Sequence, residues 1–226
     1  MFVEIPPRKE GCRQLKGEVV WIEAQENTWG KRVLDCRPLT GGLMSWTEDK
    51  ETAEWFASRK PDYGIQLIDQ HPREARLQLM NLSYPITWTS DPEDGPVFFS
   101  SEMEEKWDLF FYTDILYFAR SWTGELIFRG HVEFRNQLML IAEAEVDGKT
   151  FSDPEFCRRL LDFLVKSHMY CWLVPAPVPA EYADQPHAMA MAAFSLYGRI
   201  APLATTDDTI GTEDGSFLGP DSIPES

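Results

Sequence analysis

The sequence predicts an α+β domain: an antiparallel meander sheet of at least four strands with helices packed on its aromatic face. Three observations carry that expectation. Residues 106–146 alternate apolar and polar side chains through four runs separated by turn residues. Two stretches, near 48–60 and 153–168, place apolar residues at helical spacing. The chain of 226 residues is 43% hydrophobic and holds eight tryptophans, enough apolar surface to build a buried core.

Taken in order, EVVWIE (18–23) and RVLDC (32–36) read as strands, and Thr40-Gly41-Gly42 as a turn. A helix is expected from about Glu48 to Lys60, with Ala53, Phe56 and Ala57 on one face. Ser45 and Glu48 stand three apart, as a capping box requires, and Lys60-Pro61 ends the helix. Residues 73–82 fit either a helix or a strand, 84–89 reads as a strand and 90–95 as a loop. The meander strands are expected at 106–113, 115–122, 126–134 and 138–146. Ser152 or Asp153, followed by Pro154 and Glu155, starts a helix that runs to about His168, with Phe156, Leu160, Phe163 and Leu164 inward. VPAPVPA (174–180) reads as a stiff connector, and a last helix spans about 185–197 with Gly198 at its end. The expectation is one domain over residues 1–200, divisible only near 90–95, and a disordered acidic tail over 201–226.

Turn lengths give a register. A two-residue turn at Thr113-Asp114 pairs Trp107 with Arg120, Leu109 with Phe118 and Phe111 with Leu116. A three-residue loop at 123–125 pairs Trp122 with Leu126, Arg120 with Phe128 and Phe118 with Gly130. One face then carries Trp107, Leu109, Phe111, Leu116, Phe118, Arg120, Trp122, Leu126, Phe128, Val132 and Phe134. Leu140, Ala142, Ala144 and Val146 extend it if the loop at Asn136-Gln137 holds three residues. The other face carries Asp108, Tyr112, Tyr117, Ser121, Arg129, His131, Glu133, Glu143 and Glu145, and is expected to meet solvent. A one-residue slip would mix the two sets, so the pattern selects this pairing.

Arg120 is the one charge on the core face, beside Trp107 and Trp122. A buried guanidinium needs partners. It either lays its stem on the tryptophans and reaches water, or forks onto a carboxylate from another segment, or lines a cleft for an anionic ligand. On the other face, Glu143 and Glu145 should lie across from His131 and Arg129, and Tyr112 and Tyr117 beside them make a mixed aromatic and polar surface of the kind found at protein interfaces. A His–Glu pair is also acid–base chemistry in principle, but no nucleophile accompanies it.

Charge narrows the function classes. With 37 acidic residues against 21 basic ones the net charge is -16, a field that repels nucleic acid and anionic membrane and attracts a basic protein. MFVEIPPRKEG lacks the pattern of a secretory signal, and Cys12, Cys36, Cys157 and Cys171 form no disulfide framework; a cytoplasmic chain with free thiols is expected, in which Asn81-Leu82-Ser83 carries no glycan. No Gly-rich phosphate loop, GxSxG, HExxH or CxxC occurs, and His168-x-x-Cys171 alone is too little for zinc, so no metal and no cofactor are expected. The expectation is a non-catalytic intracellular protein-binding protein, of inhibitor or immunity type, that uses an acidic surface. Its candidate binding residues are Arg120, Trp107, Trp122, Tyr112, Tyr117, His131, Glu143 and Glu145. The alternative is a small-molecule-binding protein or enzyme with an anion site around Arg120 and its tryptophans.

Overall fold

Two tight turns set the register of the larger of two sheets. Thr113, Asp114, Asn136 and Gln137 all take positive φ (50°, 61°, 52° and 62°), the left-handed backbone of a two-residue hairpin turn. The computed structural model describes residues 17–87 and 93–213. In chain order its elements begin with β1 (Val20–Ile22), β2 (Val33–Asp35), α1 (Arg37–Thr40), α2 (Lys50–Ser58), β3 (Arg76–Pro85) and β4 (Gly95–Phe98). The meander follows as β5 (Trp107–Tyr112), β6 (Ile115–Arg120), β7 (Leu126–His131), β8 (Glu133–Arg135) and β9 (Leu138–Val146). The chain continues with α3 (Pro154–Leu164), β10 (Ala176–Pro177), α4 (Pro186–Tyr197) and β11 (Leu203–Thr205). The larger sheet is antiparallel with order β3-β9-β7-β6-β5-β4, and β8 also pairs with β9; the smaller has order β1-β2-β11-β10.

The first hairpin pairs as the turn demands, Trp107 with Arg120, Leu109 with Phe118 and Phe111 with Leu116. The second does not. Arg120 N–H donates to Glu125 O (2.9 Å), so Trp122 lies in the loop rather than in a strand. Phe118 faces Phe128 instead of Gly130, and an irregularity follows that pairs Ala119 with Leu126. The slip is two residues, which preserves faces, but the bulge turns Leu126 over to the second face. The third turn holds two residues, pairing Arg135 with Leu138. Met139 and Ile141, not Leu140 and Ala142, therefore face the core, and a further irregularity restores Ala144 and Val146 to it.

The first face, with Trp107, Phe118 and Phe128, packs on Phe156, Leu160, Phe163 and Leu164 of α3. Asp153 caps that helix, accepting from the Glu155 and Phe156 N–H groups, and a single π-turn (Val165–Met169) extends it. The second face proves aromatic too. Asp108, Tyr112 and Tyr117, expected in solvent, are buried with Phe110 beneath α2 and the 3₁₀ segment Pro61–Leu67. The approach is so close that a Cβ on Gly64 would overlap the Phe110 ring. Thus the two expected helices lie on opposite faces. In α2 the inward residues include Trp55 and Phe56 while Ala53 and Ala57 are exposed, and the cap is Asp49, whose carboxylate accepts from Thr52 N–H (3.1 Å), not a Ser45–Glu48 box.

The smaller sheet went unforeseen. VPAPVPA is not a solvated connector: Val174 to Val178 are buried, and Ala176–Pro177 pairs in parallel with β11. β11 itself occupies residues expected in the tail and is buried between β2 and β10. Leu34, Cys36, Val178, Met189, Ala193 and Ala204 form the core between this sheet and α4. Residues 214–226, Cys12 and the stretch 88–92 near the expected subdivision lie outside the described residues.

Candidate functional site

The sequence-predicted residues separate into three places. Arg120 and Trp107 meet at the end of β5 and β6, where α4 terminates, while Trp122 lies against Lys106 instead. Tyr112 and Tyr117 are sealed beneath the 3₁₀ segment. His131, Glu143 and Glu145 share the half of the second face that α2 does not reach.

Arg120 answers the question its pattern raises in a fourth way. Its Nη1 donates to Leu196 O (2.9 Å) and its Nη2 to Ser195 O (3.3 Å), the carbonyls of the last turn of α4. A cation at a helix C-terminus meets carbonyls without intrahelical partners and the negative end of the dipole. The guanidinium lies 4.7 Å from the Trp107 ring centre, and Trp107 Nε1 donates to the same Leu196 carbonyl (2.7 Å). Burial pulls the Arg120 guanidinium down to about 10. It still carries its charge at neutral pH. Gly198 ends the helix with φ 71°, and its backbone passes so close to Glu104 O that no side chain fits there.

Lys106, one residue before β5, joins this corner and was not anticipated. It is 6% exposed. Its Nζ lies 2.6 Å from Ser45 Oγ and 2.7 Å from Met103 O, and 4.1 Å from the centre of the Trp122 ring, whose Nε1 also donates to Met103 O. Burial, with the Arg120 charge nearby, pulls the Lys106 ammonium down to about 7, although Glu104 opposes the shift. Glu104 Oε1 meanwhile accepts the Ser45 backbone N–H (2.7 Å). No sequence signal marks this lysine, because only the tertiary fold brings Ser45 to it.

The lysine gives the fold a pH dependence. Between pH 7 and 10.5 the unfolded chain holds the Lys106 proton and the folded chain does not, so stability rises with pH across that window. Lys106→Met should remove that rise, measured as the difference between urea midpoints at about pH 7 and about pH 9. An unchanged slope would show that Lys106 keeps its proton in the fold.

The uncovered half-face lies on β3, β9, β7 and β8. Register places Leu77 opposite Glu145 and Leu79 opposite Glu143, then Ser83 opposite Leu140 and Pro85 opposite Leu138. Leu77 and Leu79 are 63% and 69% exposed, and Leu138 is 38% exposed. Arg129 pairs with Glu145 as expected (3.4 Å), but the histidine on Glu145 is His71 (2.6 Å to Nδ1). The β7–β9 ladder ends at Gly130 opposite Ala144, one residue short of a His131–Glu143 pair. His131, Glu133, Arg135 and Glu143 are exposed around the leucines. The alternation in RLQL was the available signal for Leu77 and Leu79, within a stretch that fitted two secondary structures.

Comparison with known proteins adds no relative: no family model matches the chain, and no curated protein or solved structure matches it. Among the described residues, no group of three His, Cys, Asp or Glu side chains is arranged to hold a metal ion, and no helix is long and apolar enough to cross a membrane. Cys36 and Cys157 are buried thiols pushed up to about 12 and about 11 by burial; Cys171 is a third free thiol, at the surface.

Proposed function

We propose that the protein binds another protein through the uncovered half of the second sheet face. One observation carries this: Leu77, Leu79 and Leu138 stand exposed on the very face that is deeply buried a few strands away, with Glu143 and Glu145 in register beside the first two. Apolar side chains ringed by charge are the composition of an interface core and rim. Local charge is mixed, with Arg129 and Arg135 among the glutamates, whereas the whole chain carries -16. The leucines would then supply affinity, and the overall field would steer a basic partner. An inhibitor that occupies a basic site on its target is the form of this reading that the charge favours. Two donors of Arg120 are already engaged by α4, which weighs against the alternative of an anion site there.

The test compares wild type with Leu77→Lys/Leu79→Lys as bait in extracts of the source cells. Both positions are exposed, so the variant should keep its melting temperature. A stoichiometric polypeptide held by wild type should be held about 30-fold or more weakly by the variant, as for an interface hot spot. Its association rate should fall as salt is raised. Equal retention by the two baits would refute the assignment of this face.

A further inference from the structure

The corner where Arg120 caps α4 also places a serine hydroxyl on a buried amine. Ser45 lies in the loop before α2, between Met44 and Trp46, which are 78% and 67% exposed. The serine is itself partly exposed, while the amine behind it is enclosed by Met103 O, the Trp122 ring and Ser45 Oγ. From the geometry we infer that Ser45 is an acyl-accepting nucleophile with Lys106 as its general base, acting on small esters whose apolar part lies against Trp46 and Met44. This is a second activity, independent of the docking face.

Three features support it beyond the 2.6 Å contact. A lysine acts as a base only when neutral, and burial beside a fixed cation favours the neutral form. Arg120 is that cation, held in place by the Ser195 and Leu196 carbonyls. Glu104 also faces the corner and opposes the effect, and Arg199 Nη2 lies 4.0 Å from Glu104 Oε1. Finally, the Glu104 carboxylate holds the Ser45 backbone N–H, so the loop is tethered at the reacting residue and not only at its ends.

The chemistry balances with water alone. Ser45 Oγ attacks the ester carbonyl carbon, forming an Oγ–C bond as its proton passes to Lys106 Nζ. The tetrahedral intermediate collapses, the ester C–O bond breaks, and the proton on Nζ goes to the departing alkoxide. Water then gives a proton to Nζ and attacks the acyl carbon. The Oγ–C bond breaks, Ser45 recovers the proton, and a carboxylic acid leaves.

The test is labelling of the full chain with a fluorophosphonate probe, read by intact mass and peptide mapping. One adduct on Ser45 is expected, absent from Ser45→Ala, whose unchanged melting temperature would show that the fold survives. Its rate should rise about tenfold per pH unit below about 7 and level above, as the base deprotonates. Lys106→Arg, which keeps the charge but cannot act as a base, should label about 10²–10⁴-fold more slowly. No adduct on Ser45, a flat pH profile, or equal labelling of folded Lys106→Arg overturns the proposal.

Discussion

Asp108→Ala is expected to cost about 3–5 kcal/mol of unfolding free energy, the range for removing one partner of a buried ion pair. Asp108 is fully buried, and its carboxylate accepts from Arg59 Nη1 (3.0 Å), Tyr63 OH (2.8 Å) and Ser100 N–H (2.7 Å). Arg59 is itself buried, held between the rings of Phe56 and Phe99 at 4.3 and 4.2 Å. Alanine would leave that guanidinium without its counter-charge and three donors without an acceptor. The rings of Phe56 and Phe99 offer no acceptor in its place. The contrast is Arg59→Met/Asp108→Leu, which removes both charges and should cost much less than the single change. Urea unfolding of both variants decides it. A single-variant loss below about 1 kcal/mol would mean that water reaches the pair after all.

Trp107→Ala is the second large effect, expected at about 3–5 kcal/mol. Trp107 is fully buried on the first face, its ring centre 6.1 Å from that of Phe128 in a stacked arrangement. The indole also holds the carbonyl of Leu196 and underlies Arg120. Removing it opens a cavity and takes from Arg120 the surface that orients it toward α4. Trp107→Phe separates these roles, because it fills most of the volume yet cannot donate to Leu196 O. It should cost about 1–2 kcal/mol, the price of one buried hydrogen bond and a small void. Thermal and urea unfolding measure both, and near-ultraviolet circular dichroism reports whether the aromatic packing survives.

The meander was legible because alternation and turn chemistry are local. Thr113-Asp114 has two residues, and from that length the pairing from Trp107–Arg120 to Tyr112–Ile115 follows directly. The next loop was misjudged because bulges depend on what lies across the strand. Ile127 is absorbed by an irregularity that nothing in LIFRGH announces, and it moves Leu126 to the other face. The solvated face was misread for a related reason. Asp108, Tyr112 and Tyr117 are polar enough to pass as surface, yet each is buried under a segment some fifty residues away in the chain. A polar side chain tolerates burial once its donors and acceptors are met, and those of Asp108 are met by Arg59, Tyr63 and Ser100.

The candidate site divides in the same way. The sequence by itself singled out Arg120 beside its tryptophans and placed Glu145 across from Arg129. It determined the α+β class, the meander, the helix beginning at Asp153 and the acidic charge, because each rests on residue type and spacing within one stretch. Only the tertiary structure decided that Arg120 caps α4, that Lys106 meets Ser45, and that Leu203–Thr205 completes a second sheet rather than trailing off. Those contacts join segments distant in sequence. No local period encodes them, since they follow from burying apolar faces and then matching every polar group trapped between them.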